Sequence, residues 1–155
     1  MGGCICGEVK YKINKKPLFT QACHCKDCKI ITGSSFVVNT SILDNSLEIT
    51  GELSSGEIIA GSGKKAKIYF CKKCGVYIYS DYESAIGRLT VRTKTFSNPE
   101  HYPPQAHIFV KNKDTWITLS DEKICFEEMY DPKIMWPKDS QERYRAYLET
   151  SSKQY

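Results

Sequence analysis

Three clusters of cysteines constrain the fold of this chain more than any other feature of its sequence. Cys4-Ile5-Cys6 lies near the start, and Cys71-Lys72-Lys73-Cys74-Gly75 lies near the middle. Residues i and i+2 of a strand face the same side, so a C-x-C pair can bind one ion, and Cys-x-x-Cys-Gly is typical of a zinc knuckle. Two sulfurs from each pair predict a closed structural zinc site, on Cys4, Cys6, Cys71 and Cys74, that joins the N-terminal strand to the middle of the chain.

The third cluster, CHCKDC at residues 23–28, offers three more sulfurs, those of Cys23, Cys25 and Cys28. In an extended segment His24 faces away from its two cysteine neighbours, which disfavours it as a fourth ligand. The remaining cysteine, Cys125, alternates with apolar residues and is predicted to be a buried core residue. We therefore predict a second, exchange-labile zinc with three protein ligands and one open position. His24 and Cys125 remain alternative fourth ligands.

A zinc held by three thiolates favours thiol chemistry, because soft sulfur ligands suit the metal and a bound thiol is kept as a thiolate. The natural fourth ligand is then an external small-molecule thiol. Lys26 and Lys29 lie beside the cysteine cluster and are candidates for binding carboxylates of that external thiol. His107 is a candidate for the pocket lining or, alternatively, a hydrogen-bonded core histidine. Trp116 and Trp136 are predicted to pack in the core.

The composition of the sequence indicates which cellular compartment and which classes of partner to expect. The first twelve residues lack the basic and apolar regions of a secretory signal, and no apolar run approaches 18 residues. We therefore expect a cytoplasmic protein that does not span a membrane, whose cysteines serve metals rather than disulfides. The net charge of +4 is scattered along the chain and predicts no nucleic-acid partner. The oligomeric state is not indicated.

The hydrophobic periodicity is that of short strands. Apolar and polar residues alternate or form brief runs between turn residues, one predicted turn being Gly61-Ser62-Gly63. We predict an all-β single domain of short antiparallel strands over residues 1–150, with a short helix at 140–148 and a frayed tail at 151–155. The predicted strands lie at residues 9–13, 36–38, 47–49, 58–60, 66–70, 76–79, 88–91, 107–110 and 116–119.

The order of these motifs resembles that of the glutathione-dependent formaldehyde-activating enzymes and their relative centromere protein V. Gly3-Cys4-Ile5-Cys6-Gly7, CHCKDC and Phe70-Cys71-Lys72-Lys73-Cys74-Gly75 carry the resemblance, followed by Pro104-Gln105-Ala106-His107-Ile108 and Trp116. It implies a zinc-pinned tent of antiparallel sheets. It also implies a structural zinc and a substrate-side zinc on the same two sets of cysteines. The activity it implies joins glutathione to formaldehyde, giving S-hydroxymethylglutathione, a carbon–sulfur lyase reaction in reverse.

Three classes of function follow from these features. The first is a zinc-dependent carbon–sulfur lyase acting on a thiol adduct, with Cys23, Cys25 and Cys28 holding the thiol through zinc. The second is a non-catalytic, zinc-stabilised binding module. The third, a nucleic-acid-binding zinc ribbon, is disfavoured because Cys28 and Cys71 are much further apart than the roughly 15–20 residues of a ribbon. The open coordination position favours the enzyme.

Overall fold

The computed structural model describes residues 1–60 and 63–151. Most of the predicted turn at residues 61–63 lies outside the described residues. So does the predicted tail, apart from Ser151, which ends the last helix. The strands are β1 Gly2–Gly3, β2 Lys10–Ile13, β3 Phe19–Cys23, β4 Val37–Leu43, β5 Leu47–Thr50, β6 Leu53–Ile59, β7 Lys65–Cys71, β8 Tyr77–Tyr82, β9 Arg88–Arg92 and β10 Ala106–Ile108. The α-helices are α1 Lys26–Thr32, α2 Pro132–Met135 and α3 Lys138–Ser151.

The strands form one small and one large sheet. The small sheet has the order β1-β2-β5, and the large one has the order β10-β3-β4-β9-β8-β7-β6. Neighbouring strands are antiparallel except for β10, which pairs with β3 in parallel. The predicted all-β class with a short C-terminal helix is confirmed, and cysteine clusters that could pin a metal lie on this scaffold.

Each face of the large sheet carries its own core. Successive side chains of a strand point to opposite faces, so β4 contributes Val37 and Leu43 to one core and Ile42 to the other. Cys23 and Cys28 belong to the first core, whose other buried members include Phe19, Tyr130 and Trp136. Cys71 belongs to the second core, with Val9, Tyr11, Ile78 and Val91. Each core therefore anchors one cysteine cluster.

The segment after β10 departs most from the sequence-based expectation. The strand predicted at residues 116–119 is wrong, because this segment forms turns and loop without pairing to a sheet. Trp116 was expected to pack in the core, but its side chain is 73% exposed and its indole nitrogen donates to the Ser35 hydroxyl at 3.3 Å. Trp136 is buried as predicted and stacks on Phe19, with ring centroids 6.3 Å apart.

The helices are all short. The longest, α3, has 14 residues. Within residues 1–60 and 63–151, no helix has both the length and the apolar character needed to cross a bilayer.

Candidate metal centres

Two tight turns bring four cysteines together where the N-terminal strands meet the large sheet. In the first turn, the Gly7 amide donates to the Cys4 carbonyl at 3.1 Å, and the Val9 amide donates to the Cys4 sulfur at 3.2 Å. In the second, the Gly75 amide donates to the Cys71 carbonyl at 2.8 Å. Both glycines have positive φ, 75° for Gly7 and 72° for Gly75, a conformation that is costly for other residues. The glycine after each cysteine pair therefore allows the turn that points its sulfurs inward.

The spacing of these four sulfurs fits a tetrahedral zinc ion. All four lie within 4.8 Å of one another, with 3.4 Å between Cys4 and Cys6 and 3.8 Å between Cys6 and Cys71. Sulfurs 2.3 Å from a common tetrahedral ion lie about 3.8 Å apart, whereas a disulfide brings two sulfurs to about 2.05 Å. The cysteines are free thiols and hold the spacing of a metal ligand set. This group, Cys4, Cys6, Cys71 and Cys74, could hold one metal ion.

The close packing of these thiols makes their ionisation interdependent. Slight burial opposes ionisation of Cys4, but hydrogen bonds from the Val9 amide and the neighbouring thiols lower its pKa to about 6. For Cys6 the Glu8 backbone favours the thiolate, but burial and the neighbouring sulfurs outweigh it and raise its pKa to about 12. A backbone hydrogen bond from Val76 also lowers the pKa of Cys74. Cys4 and Cys74 thus ionise readily while Cys6 resists ionisation, and a divalent cation would relieve that resistance.

The second cluster lies at the junction of β3 and α1. Cys23 ends β3, Cys25 caps the N-terminus of α1, and Cys28 lies in the first turn of the same helix. The Cys28 amide donates to the Cys25 sulfur at 3.3 Å, and Gly33 ends the helix in the left-handed conformation. The C-x-x-C spacing therefore spans one helical turn, and the three sulfurs lie within 4.8 Å of one another. They form a second group that could hold a metal ion.

The pKa values of the three thiols in this second group also depend on one another. Hydrogen bonds from Cys23 and Cys28 lower the pKa of Cys25 to about 3. The same contacts with Cys25 and Cys28, together with burial, raise the pKa of Cys23. One thiolate therefore forms easily, and the next ones need a positive charge nearby. Within residues 1–60 and 63–151, no further histidine, cysteine or carboxylate joins the three sulfurs at ligand spacing.

His24 points away from the three sulfurs, as the strand geometry predicts. It is fully buried, and its Nε2 lies 3.0 Å from Nδ1 of His107 on the neighbouring strand β10. Burial lowers the pKa of His24 to about 4, and burial also lowers the pKa of His107. Both rings are therefore neutral at pH 7. His107 is a buried, hydrogen-bonded residue of the sheet, and a substrate-binding role for it stays a prediction.

The two lysines beside the cluster differ in their surroundings. Lys29 forms an ion pair with Asp114, and its ammonium also donates to the Asn112 carbonyl at 2.9 Å. The bond from Lys29 lowers the pKa of Asp114. Lys26, at the start of α1, is exposed. Their proposed contacts with substrate carboxylates also stay predictions.

A cavity of about 360 Å³ opens beside Cys23, Cys25 and Cys28, a size within the usual range for small-molecule sites. Two larger grooves, of about 610 and 830 Å³, run along α3 and have no cysteine in their walls. Most of the surface that lines the cavity at the cysteines is apolar, and polar side chains from the sheet, from α1 and from the turn after β8 contribute the rest. Neither lysine nor His107 is among its described lining residues. Its polar lining includes Gln21, Asp27, Asn39, Ser41, Tyr82, Ser84, Arg88, Thr90 and Arg92.

The two arginines of this cavity were missed by the sequence analysis. Both lie on β9, for which the sequence predicted a strand at residues 88–91 that ended before Arg92 and assigned no direction to the Arg88 side chain. A signal was nevertheless present, because the chain has only four arginines and two of them share one face of a five-residue strand.

Cys125 is exposed, so the prediction that it is buried in the core is wrong. Its backbone forms an isolated bridge to His107. Phe126 packs against the core and its amide donates to the His107 carbonyl at 2.9 Å, which turns the Cys125 side chain outward. It is not part of either sulfur group.

Because it lies outside both groups, Cys125→Ala is expected to leave metal content unchanged. A surface substitution of this kind changes the free energy of unfolding by about 0.5 kcal/mol or less, so the melting temperature should move by about 2 °C at most. Elemental analysis and a thermal melt check both values. Loss of one metal equivalent would instead identify Cys125 as a ligand.

The fold and the two sulfur groups define a β-sheet protein that could hold two metal ions. The sequence profile of one family, described as glutathione-dependent formaldehyde-activating enzyme, matches residues 1–112. The chain therefore belongs to the family of glutathione-dependent formaldehyde-activating enzymes. The matched region contains both cysteine groups.

Comparison with solved structures shows the same fold in a bacterial protein. A crystal structure of a Rhodobacter sphaeroides protein matches with a TM-score of 0.50 and 20% sequence identity. The match covers 62% of this chain and 86% of that one. A search of curated proteins finds no significant match.

Proposed function

We propose that this protein is a zinc-dependent enzyme that adds the thiol of glutathione to formaldehyde, giving S-hydroxymethylglutathione. The observation that supports it best is the contrast between the two sulfur groups. One has four cysteines and is complete as a zinc site, while the other has three and borders a cavity. Zinc with three protein ligands and one open position is the arrangement of catalytic sites.

The cysteines themselves suit zinc, because thiolates are its preferred soft ligands and their spacing fits a tetrahedral ion. Cys4, Cys6, Cys71 and Cys74 would hold the structural ion, and Cys23, Cys25 and Cys28 the substrate-side ion. At the second site zinc would supply a positive charge that keeps an incoming thiol ionised at neutral pH.

The chain's own contribution is a shaped enclosure for the two reactants. Apolar side chains such as Ile108 and Phe109 line the cavity beside the sulfurs and limit the access of water. In the reaction, the thiolate sulfur uses a lone pair to form a bond to the aldehyde carbon. The π electrons of the carbonyl move to oxygen, which takes up one proton and becomes the hydroxyl of the product. In the reverse direction the carbon–sulfur bond breaks, which is a lyase reaction.

The test is exchange spectroscopy by ¹³C NMR, with labelled formaldehyde and glutathione at equilibrium. The uncatalysed reaction sets the background, so the quantity measured is the increase in exchange rate per enzyme equivalent. We expect acceleration by the wild type and by Cys125→Ala, and only the background rate with Cys25→Ser. A protein that carries both metals and leaves the background unchanged would be a non-catalytic zinc-stabilised module.

A further inference from the structure

One face of three adjacent strands forms the polar wall of the cavity. Strand pairing places Gln21 opposite Asn39, and Asn39 opposite Arg92, in one row across β3, β4 and β9. Cys23 lies two residues from Gln21 and therefore on the same face. Arg88 lies on that face as well, four residues from Arg92. The sulfur group and two guanidinium groups thus share one wall.

Arg92 is unusual because it is a cation that is only partly paired in a buried position. Its side chain is 4% exposed, and its Nη1 donates to the Asn39 side-chain oxygen. Its Nε and Nη2 have no hydrogen-bond partner. The guanidinium lies 3.9 Å from the centre of the Tyr77 ring, which supports its plane but accepts no bond at this edge. Burying a charge with unpaired donors is unfavourable, so such a group indicates a missing anionic partner.

The unpaired edge indicates the chemistry of that partner. The Nε and Nη2 hydrogens of arginine form a fork that matches the two oxygens of a carboxylate. Arg88 also lines the cavity, has an unpaired buried Nε, and lies over the Trp136 ring at 5.2 Å. The other polar side chains that line the cavity are amides and hydroxyls together with the carboxylate of Asp27, and no further cation is among the described lining residues. A singly charged carboxylate fits this setting better than a phosphate dianion.

The geometry points to a recognition site on β9, and we propose that Arg92, assisted by Arg88, binds a carboxylate of the thiol substrate. This inference rests on the proposed function for the position of the sulfur at Cys23, Cys25 and Cys28. Two strand spacings and two residues along a strand separate the Cα atoms of Cys23 and Arg92 by about 12 Å. A substrate that reaches both groups therefore carries its carboxylate several bonds away from its sulfur. Thiols without a carboxylate bind only at the sulfur end.

The first test uses the wild-type protein and two matched pairs of thiols. Cobalt-loaded protein is titrated with glutathione and with its diethyl ester, and then with 3-mercaptopropionate and its neutral amide. Affinity is read from the thiolate-to-metal absorption and, independently, from calorimetry. We expect each carboxylate to bind about 10–100-fold more tightly than its neutral partner, the range for a charge-assisted hydrogen bond. Equal affinities within both pairs would overturn the proposal, whatever any variant shows.

The second test assigns the preference to the arginine. Arg92→Gln should lose most of the preference for carboxylates while keeping its affinity for the neutral thiols. Arg92→Lys should recover part of it, because it restores the charge but not the fork. Arg145→Gln removes the same charge from an exposed position of α3 outside the cavity and should behave as wild type.

Two outcomes separate this inference from alternatives. If Arg92→Gln weakens charged and neutral thiols equally, the arginine neutralises the sulfur cluster and the proposal is wrong. Formaldehyde is absent from these titrations, so they are independent of catalysis. A carboxylate preference without accelerated exchange would remove the proposed reaction and keep this site. Accelerated exchange with the glutathione diester reacting as well as glutathione would do the opposite.

Discussion

Cys71→Ser is expected to leave the protein largely unfolded at 25 °C. Cys71 is fully buried in the core beneath the small sheet and belongs to the four-cysteine group. Structural zinc sites bind with about 10–16 kcal/mol in small zinc domains, comparable with the whole stability of about 5–15 kcal/mol of a typical domain. Loss of this site therefore removes much or all of the folding free energy. Circular dichroism and a thermal melt measure the result.

The matched comparison is Cys25→Ser, which changes the other sulfur group. Serine is a good helix N-cap, so it keeps the role that Cys25 has at the start of α1 while removing the metal-binding sulfur. We expect this variant to remain folded, with a melting temperature far above that of Cys71→Ser. Equal losses of stability in the two variants would show that the groups do not divide into a structural and a functional one.

The metal groups could be predicted because their ligand spacing is local. C-x-C and C-x-x-C fix the separation of two sulfurs within one turn or strand, whatever the rest of the fold does. Assigning Cys4 and Cys6 to the same ion as Cys71 and Cys74 needed one further step. A structural zinc takes four ligands, and each cysteine pair supplies two. Strand periodicity was equally local, and it predicted β7 and β9 well.

The features that the sequence analysis missed either lack a local hydrophobic period or depend on long-range packing. The seven residues of α1 include β-branched Ile30, Ile31 and Thr32 and show no apolar helical period, so the helix was missed. Cys25 caps the N-terminus of this helix and Gly33 caps its C-terminus. Alternation around Cys125 did not reveal that its segment lies at the sheet edge, with one face to solvent.

The position of Arg88 and Arg92 on the cavity wall was not predicted, because it depends on long-range packing. The predicted strand at residues 88–91 included Arg88 and ended before Arg92, and the polar face of a strand ordinarily faces water. In the fold, α1 and the segment containing Tyr130 cover that face, and the Trp136 indole donates to the Tyr130 hydroxyl at 3.1 Å. The residues that cover this face are distant from β9 in the sequence, and their hydrophobic pattern has no period that would predict the contact.

Cys25→Ser is further expected to bind one metal ion per chain where the wild type binds two. Three thiolates hold the predicted second ion, and serine replaces one of them with a much weaker ligand. Elemental analysis after exhaustive dialysis gives the stoichiometry, and Cys125→Ala provides the matched control because it also removes one thiol. A wild type that never binds more than one ion would contradict the second site.

A thiol substrate is expected to bind at the second metal site as the fourth ligand. Adding glutathione to cobalt-loaded wild type should change the thiolate-to-metal absorption, because a fourth sulfur joins the three of Cys23, Cys25 and Cys28. The affinity should rise with pH up to about 8.5, where a free thiol ionises, since the metal competes with the thiol proton. S-methylglutathione lacks that proton and should leave the spectrum nearly unchanged, as should glutathione added to Cys25→Ser. If S-methylglutathione binds as tightly as glutathione, recognition runs through the carboxylates alone, and the sulfur of the substrate is not held at the metal.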